Sequence, residues 1–199
     1  MKRKILCLSV IAIMLAILAA GTIAYFTAEG RAHNVITTGS INITVVEQQK
    51  GENGTTVEYP TEPITNVVPG AEISKIVTIR NDGKSTAWIR VKVGTEIKLA
   101  GGGEANTSLV VLNFDDTNWK EKDGYYYYNK PVDPTESTTA LFDTVKFDPR
   151  MGNEYQNCTV NINIYAQAVQ TANNPATDGD VKTVKGWPAS EPAETTKGE

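Results

Sequence analysis

The chain has 199 residues, 40% of them hydrophobic, enough for one domain with a real core and not for two. Its formal charge is −4, and its only basic cluster is Lys2-Arg3-Lys4; losing those three cations takes the remainder to −7. Without that cluster the acidic remainder is a poor candidate for binding nucleic acid or an anionic membrane surface.

In chain order, Lys2-Arg3-Lys4 precedes an apolar run from Ile5 to Ala20 and then small residues at Gly21, Thr22 and Ala24. That is the make-up of a secretory signal helix, expected to be cut between Ala24 and Tyr25 or one residue later, before Phe26. The run is short for a spanning helix, so an uncleaved anchor is the lesser reading. Contact with the membrane is therefore expected only through this segment, before cleavage. Cys7 precedes nearly all of the apolar run and is badly placed to carry a lipid.

The stretch Tyr25–Thr38 is polar with scattered apolar residues and has neither a helical period nor clean alternation. Ser40–Glu47 alternates, with Ile41, Ile43 and Val45 on one side, as a half-buried strand does. Lys50–Gly54 reads as a turn and Val57–Tyr59 as a short edge strand. Ile73–Arg80 puts Ile73, Val77 and Ile79 on one face. Asn81-Asp82-Gly83 predicts a hairpin returning through Ala87–Val93, with Ala87, Ile89, Val91 and Val93 inward.

Leu109–Phe114 is apolar on both faces, and predicts a buried strand or a short helix. Trp119 and Tyr125–Tyr128 flank an Asp123-Gly124 hairpin turn, and Leu141–Phe147 follows a Pro- and Thr-rich loop. Cys158–Gln170 alternates most clearly, with Val160, Ile162, Ile164, Ala166 and Ala168 on one face. From Thr171 the chain has few hydrophobes and is expected to be a disordered tail, with Trp187 the one residue suited to docking. About eight short strands between turns predict an all-β fold, a jelly-roll-like antiparallel β-sandwich over residues 39–170.

The chemistry-bearing residues are sparse. His33 is the single histidine, which removes any site needing two, including the helical zinc motif. No nucleophile elbow, phosphate loop or dinucleotide fingerprint occurs, so no catalytic, cofactor or metal site is expected. Asp115-Asp116 and Asp178-x-Asp180 are acid pairs of the kind loops often carry without calcium. Cys158 is alone once Cys7 is removed, and fits a small apolar strand residue. Tyr125–Tyr128 with Trp119 is either a carbohydrate platform or, more plainly, a strand with two tyrosines in and two out.

Several blocks together resemble the TasA and camelysin-like family of exported bacterial proteins. They are Gly21-Thr22-Ile23-Ala24-Tyr25-Phe26-Thr27 followed by Thr38-Gly39-Ser40-Ile41, Val68-Pro69-Gly70 with Ile79-Arg80-Asn81-Asp82-Gly83, and Trp88-Ile89-Arg90. Trp119 with Asp123-Gly124 and the tyrosines, and Ile164–Gln170, complete the set. The resemblance implies processing by a SipW-type signal peptidase and export to the cell surface or matrix. It implies self-assembly into biofilm fibres, with an accessory assembly protein as a further partner. In such fibres the mature N-terminal segment of one subunit completes a sheet of the next. Here that segment is 25–38, with Phe26, Val35 and Ile36 as expected contacts. The plainer reading of 25–38 is a loose terminus or an edge strand of its own domain. A monomeric glycan-binding adhesin is the alternative, and a camelysin-like metalloprotease, disfavoured by the single histidine, is the third.

Overall fold

The computed structural model describes residues 34–37, 41–61, 64–65 and 68–188. Two compact units are present, Met1–Arg31 and Ala32–Glu199; the first, with the expected signal helix, lies outside the described residues.

Among the described residues, the second unit is an all-β sandwich of ten strands. They are β1 (Asn34–Thr37), β2 (Ile43–Lys50), β3 (Thr56–Glu58), β4 (Glu72–Asn81) and β5 (Ala87–Lys98). Then come β6 (Val110–Leu112), β7 (Trp119–Lys122), β8 (Tyr125–Tyr128), β9 (Phe142–Phe147) and β10 (Thr159–Gln170). One sheet has the order β1-β10-β5-β8-β7 and the other β3-β2-β4-β9-β6. The chain crosses repeatedly between sheets, as a jelly-roll-like sandwich requires, and every pair is antiparallel except β1 with β10.

Alternation places the core. Ile43 and Val45 of β2, Val77 and Ile79 of β4, Ala87, Ile89 and Val91 of β5, and Val160, Ile164, Ala166 and Ala168 of β10 are all buried between the sheets. The longest pairing, Thr159–Gln170 against Ala87–Lys98, runs in unbroken register and forms the backbone of its sheet. Asp123 and Gly124 both have positive φ, the geometry of the tight turn that the Asp-Gly pair predicts between β7 and β8.

Three expectations are corrected. First, Asn81-Asp82-Gly83 does not make a hairpin: β4 and β5 lie in different sheets, and the segment is an arch between them. The Asn81 side chain is fully buried in that arch. Its Nδ2 donates to the Ser85 and Val132 carbonyls, and its Oδ1 accepts from Gly83 N–H. The same turn residues serve an arch as well as a hairpin, because they satisfy their own backbone.

Second, Leu109–Phe114 is not buried on both faces. It begins as a single 3-10 turn, Thr107–Leu109, and continues as the three-residue edge strand β6, whose Val111 is 47% exposed.

Third, the segment after β10 is not a disordered tail as far as Pro188. Residues 171–188 fold back over the outer face of the β1-β10-β5-β8-β7 sheet, and Val181 and Val184 are buried there. Few hydrophobes suffice because they land on an apolar patch, Val169, Tyr127 and Trp88, that the sheet already presents. Residues 189–199 lie outside the described residues.

Candidate functional site

Among the described residues there is no group of three or more His, Cys, Asp or Glu side chains placed to hold a metal ion. Asp115 spends its carboxylate on its own turn, accepting from Thr117 N–H, Asn118 N–H, Asn118 Nδ2 and Thr139 Oγ1. The Asn118 side-chain hydrogen bond, the largest cause, holds its carboxyl below the usual range. Asp180 caps the 3-10 turn Val181–Thr183 through Lys182 N–H. Cys158 is a free, fully buried thiol whose pKa burial pushes up.

The site that remains is a sheet edge. β1 pairs in parallel with β10, Asn34 opposite Tyr165, Val35 opposite Ala166, Ile36 opposite Gln167 and Thr37 opposite Ala168. Val35 and Ile36 therefore sit in a real edge strand, while Ala24, Tyr25 and Phe26 lie outside the described residues. Further along the same edge, Val160 N–H donates to the Ile64 carbonyl at 3.1 Å, in a single antiparallel bridge. Among the described residues no pairing covers the outer edge of β10 from Asn161 to Ile164.

Edges differ in how they are guarded. β7 carries Lys120, Glu121 and Lys122, charges that discourage pairing, and β3 and β6 are only three residues long. β1 is the sequence Asn-Val-Ile-Thr, with no charge at all. It pairs with β10 over four residues, and a backbone hydrogen bond contributes about 1 kcal/mol net.

The outer face beside that edge is an aromatic and cationic cluster. Arg90 of β5 lies over the Tyr125 ring, 4.0 Å from its centroid, and under the Trp187 ring at 4.7 Å. Arg90 Nε donates to Gln167 Oε1 at 2.8 Å, and Nη1 donates to the Tyr127 hydroxyl at 3.1 Å. Trp187 packs edge-on against Tyr127, and Trp88 Nε1 donates to the Asn174 carbonyl. Tyr126 stacks on Phe114 at 4.0 Å, and Tyr128 meets Trp119 at 5.0 Å inside the sandwich. The tyrosine strand thus divides two in and two out, and its outer pair lies beneath the C-terminal segment. It is not an open platform for a sugar.

Sequence patterning places Arg90 and Gln167 facing outward and Asn81 in a turn, but not the bonds they make. A hint was available for the first two: both are polar residues on outward positions that also carry Trp88 and Val169, an apolar pattern with no evident cover. Comparison with known proteins adds nothing to this geometry: no family model, no curated protein and no solved structure matches the chain.

Proposed function

We propose that this protein is a secreted, cell-surface-associated structural subunit that assembles with copies of itself by strand addition. In this reading β1 of one copy takes the place beside β10 of the next. The observation that carries it is the position of β1. It is a four-residue, uncharged edge strand held by one parallel pairing to Tyr165–Ala168. Parallel pairing is slightly weaker per residue than antiparallel, so little is lost when the strand leaves. The same backbone groups in a second copy can replace it without any new chemistry. A strand donated forward while the acceptor edge faces elsewhere makes a head-to-tail contact, which propagates rather than closes.

The sequence blocks quoted above support the same reading, since they carry the likeness to exported fibre proteins and to their signal segment. The signal peptidase and the accessory assembly protein belong to this proposal. The test compares the chain starting at Tyr25 with one starting at Gly39, by sedimentation and electron microscopy. Polymer from the long form alone supports strand donation. Monomers from both, under concentration, acid and seeding, overturn it.

A further inference from the structure

The C-terminal segment 171–188 is a strap with its own architecture. It leaves β10 directly, with Thr171 N–H donating to the Thr86 carbonyl, and is pinned by Trp88 Nε1 on Asn174 O. Gly186 then approaches Asn174 so closely that a Cβ there would lie 2.6 Å from Asn174 Oδ1. Its ends therefore meet, the defining feature of a compact surface loop closed on itself. Trp187 follows that closure and lands on Arg90. The strap packs on Val169, 1% exposed, and Gln167, 2% exposed, lies two residues back on the same outward face, within the stretch of β10 that pairs with β1.

A continuous line of contacts runs from the strap to the edge strand. Trp187 lies on the Arg90 guanidinium, Arg90 Nε donates to Gln167 Oε1, and Gln167 stands opposite Ile36 of β1. We infer that the strap is a latch on β1: docking of Trp187 on Arg90 fixes Gln167 and with it the backbone edge that β1 pairs with. When the strap lifts, Arg90 loses the ring above it, its hydrogen bond to Gln167 is held less rigidly, and β1 is released more often. A surface loop with few buried side chains opens at lower free energy than a core strand, which suits it to this task. The coupling itself is a property of the single subunit. Only its consequence, that a lifted strap speeds donation of β1 to a second copy, rests on the proposed function.

The test is hydrogen exchange and limited trypsin digestion on the chain starting at Tyr25, comparing wild type, Trp187→Ala and Trp187→Phe. In Trp187→Ala, cleavage after Lys182 and Lys185 should accelerate. The amides of Val35–Thr37 should exchange about tenfold faster, the size of a modest coupling. Val77 and Ile79 of β4 report global unfolding and should not change. Trp187→Phe keeps a ring over Arg90 and should fall between; it decides the matter if the alanine variant destabilises β4 as well. Faster strap cleavage with wild-type exchange at Val35–Thr37 overturns the latch, and so does no change in either. Because these readouts need no polymer, the latch stands or falls by them even if the subunit never assembles.

Discussion

The Lys75 ammonium meets the Glu47 carboxylate at 2.7 Å inside the sandwich, with side chains 2% and 8% exposed. The Tyr59 ring lies over the Lys75 nitrogen, 3.9 Å from nitrogen to centroid. Lys75 shares a strand with Val77 and Ile79, beside the irregularity in register between Ser74 and Val77, so a charge occupies a position that alternation reserves for the core.

Removing one partner of such a pair takes away the nearest opposite charge that offsets the other's burial. Lys75→Met or Glu47→Leu alone should each lower the unfolding free energy by about 3–5 kcal/mol. The double replacement Lys75→Met with Glu47→Leu should restore most of that loss. Urea unfolding of the three variants measures it. Equal losses that simply add in the double variant would mean the pair does not act as a unit.

The arch at Asn81 makes a second prediction. Its buried amide group bonds two carbonyls and one N–H, tying the two ends of the arch together. Asn81→Ala should cost about 1–3 kcal/mol for the bonds lost. Asn81→Asp should cost more, since a carboxylate would face the Ser85 and Val132 carbonyls. Thermal unfolding of both variants, with wild type alongside, ranks them.

Acid should destabilise the fold through the carboxylates whose pKa the fold lowers: Asp115, Asp143 and Asp148, the last held at about 2 by its Arg150 hydrogen bond. Asn118 holds Asp115 below its ordinary value of 3.8, and Asn113 does the same for Asp143. A folded pKa lower than the unfolded one gives stabilisation that is complete above the unfolded value and lost as pH falls through the folded one. The urea midpoint should therefore hold steady down to about 3.8 and fall below it. Asp115→Asn and Asp143→Asn should each flatten that acid limb. A wild-type midpoint that falls mainly at higher pH would assign the loss to other groups.

Cys158 should be inert while the protein is folded. Its side chain is fully buried and its pKa is raised, so little thiolate is present and none is accessible. On the chain starting at Tyr25, alkylating reagent at neutral pH should leave the folded protein at its native mass and add one group in urea.

What the sequence makes legible is local. Alternation in Ala87–Val93 and Cys158–Gln170 places the inward faces of β5 and β10 correctly, and Asp123-Gly124 marks its own turn. Which sheet a strand joins is not a local property, so Asn81-Asp82-Gly83 reads equally as a hairpin and as an arch. Lys75 has no signature, because its partner Glu47 lies on another strand. The strap escapes notice because composition counts hydrophobes and does not see where they land; Val181, Val184 and Trp187 suffice over Val169 and Tyr127. The pairing of β1 joins opposite ends of the domain in parallel, which no short-range pattern encodes.

The central claim is that β1 leaves its own subunit and joins the next. Asn34 stands opposite Tyr165, so a cysteine at each position reports the pairing directly. In the chain starting at Tyr25 with Cys158 replaced by alanine, one protein carries Asn34→Cys, a second carries Tyr165→Cys, and a double variant carries both. The two single variants are mixed under assembly conditions and oxidised. Strand donation predicts disulfide-linked pairs containing one of each protein, in polymer and not in dilute monomer. Polymer without that cross-link, while the double variant closes its disulfide within a single chain, would contradict it.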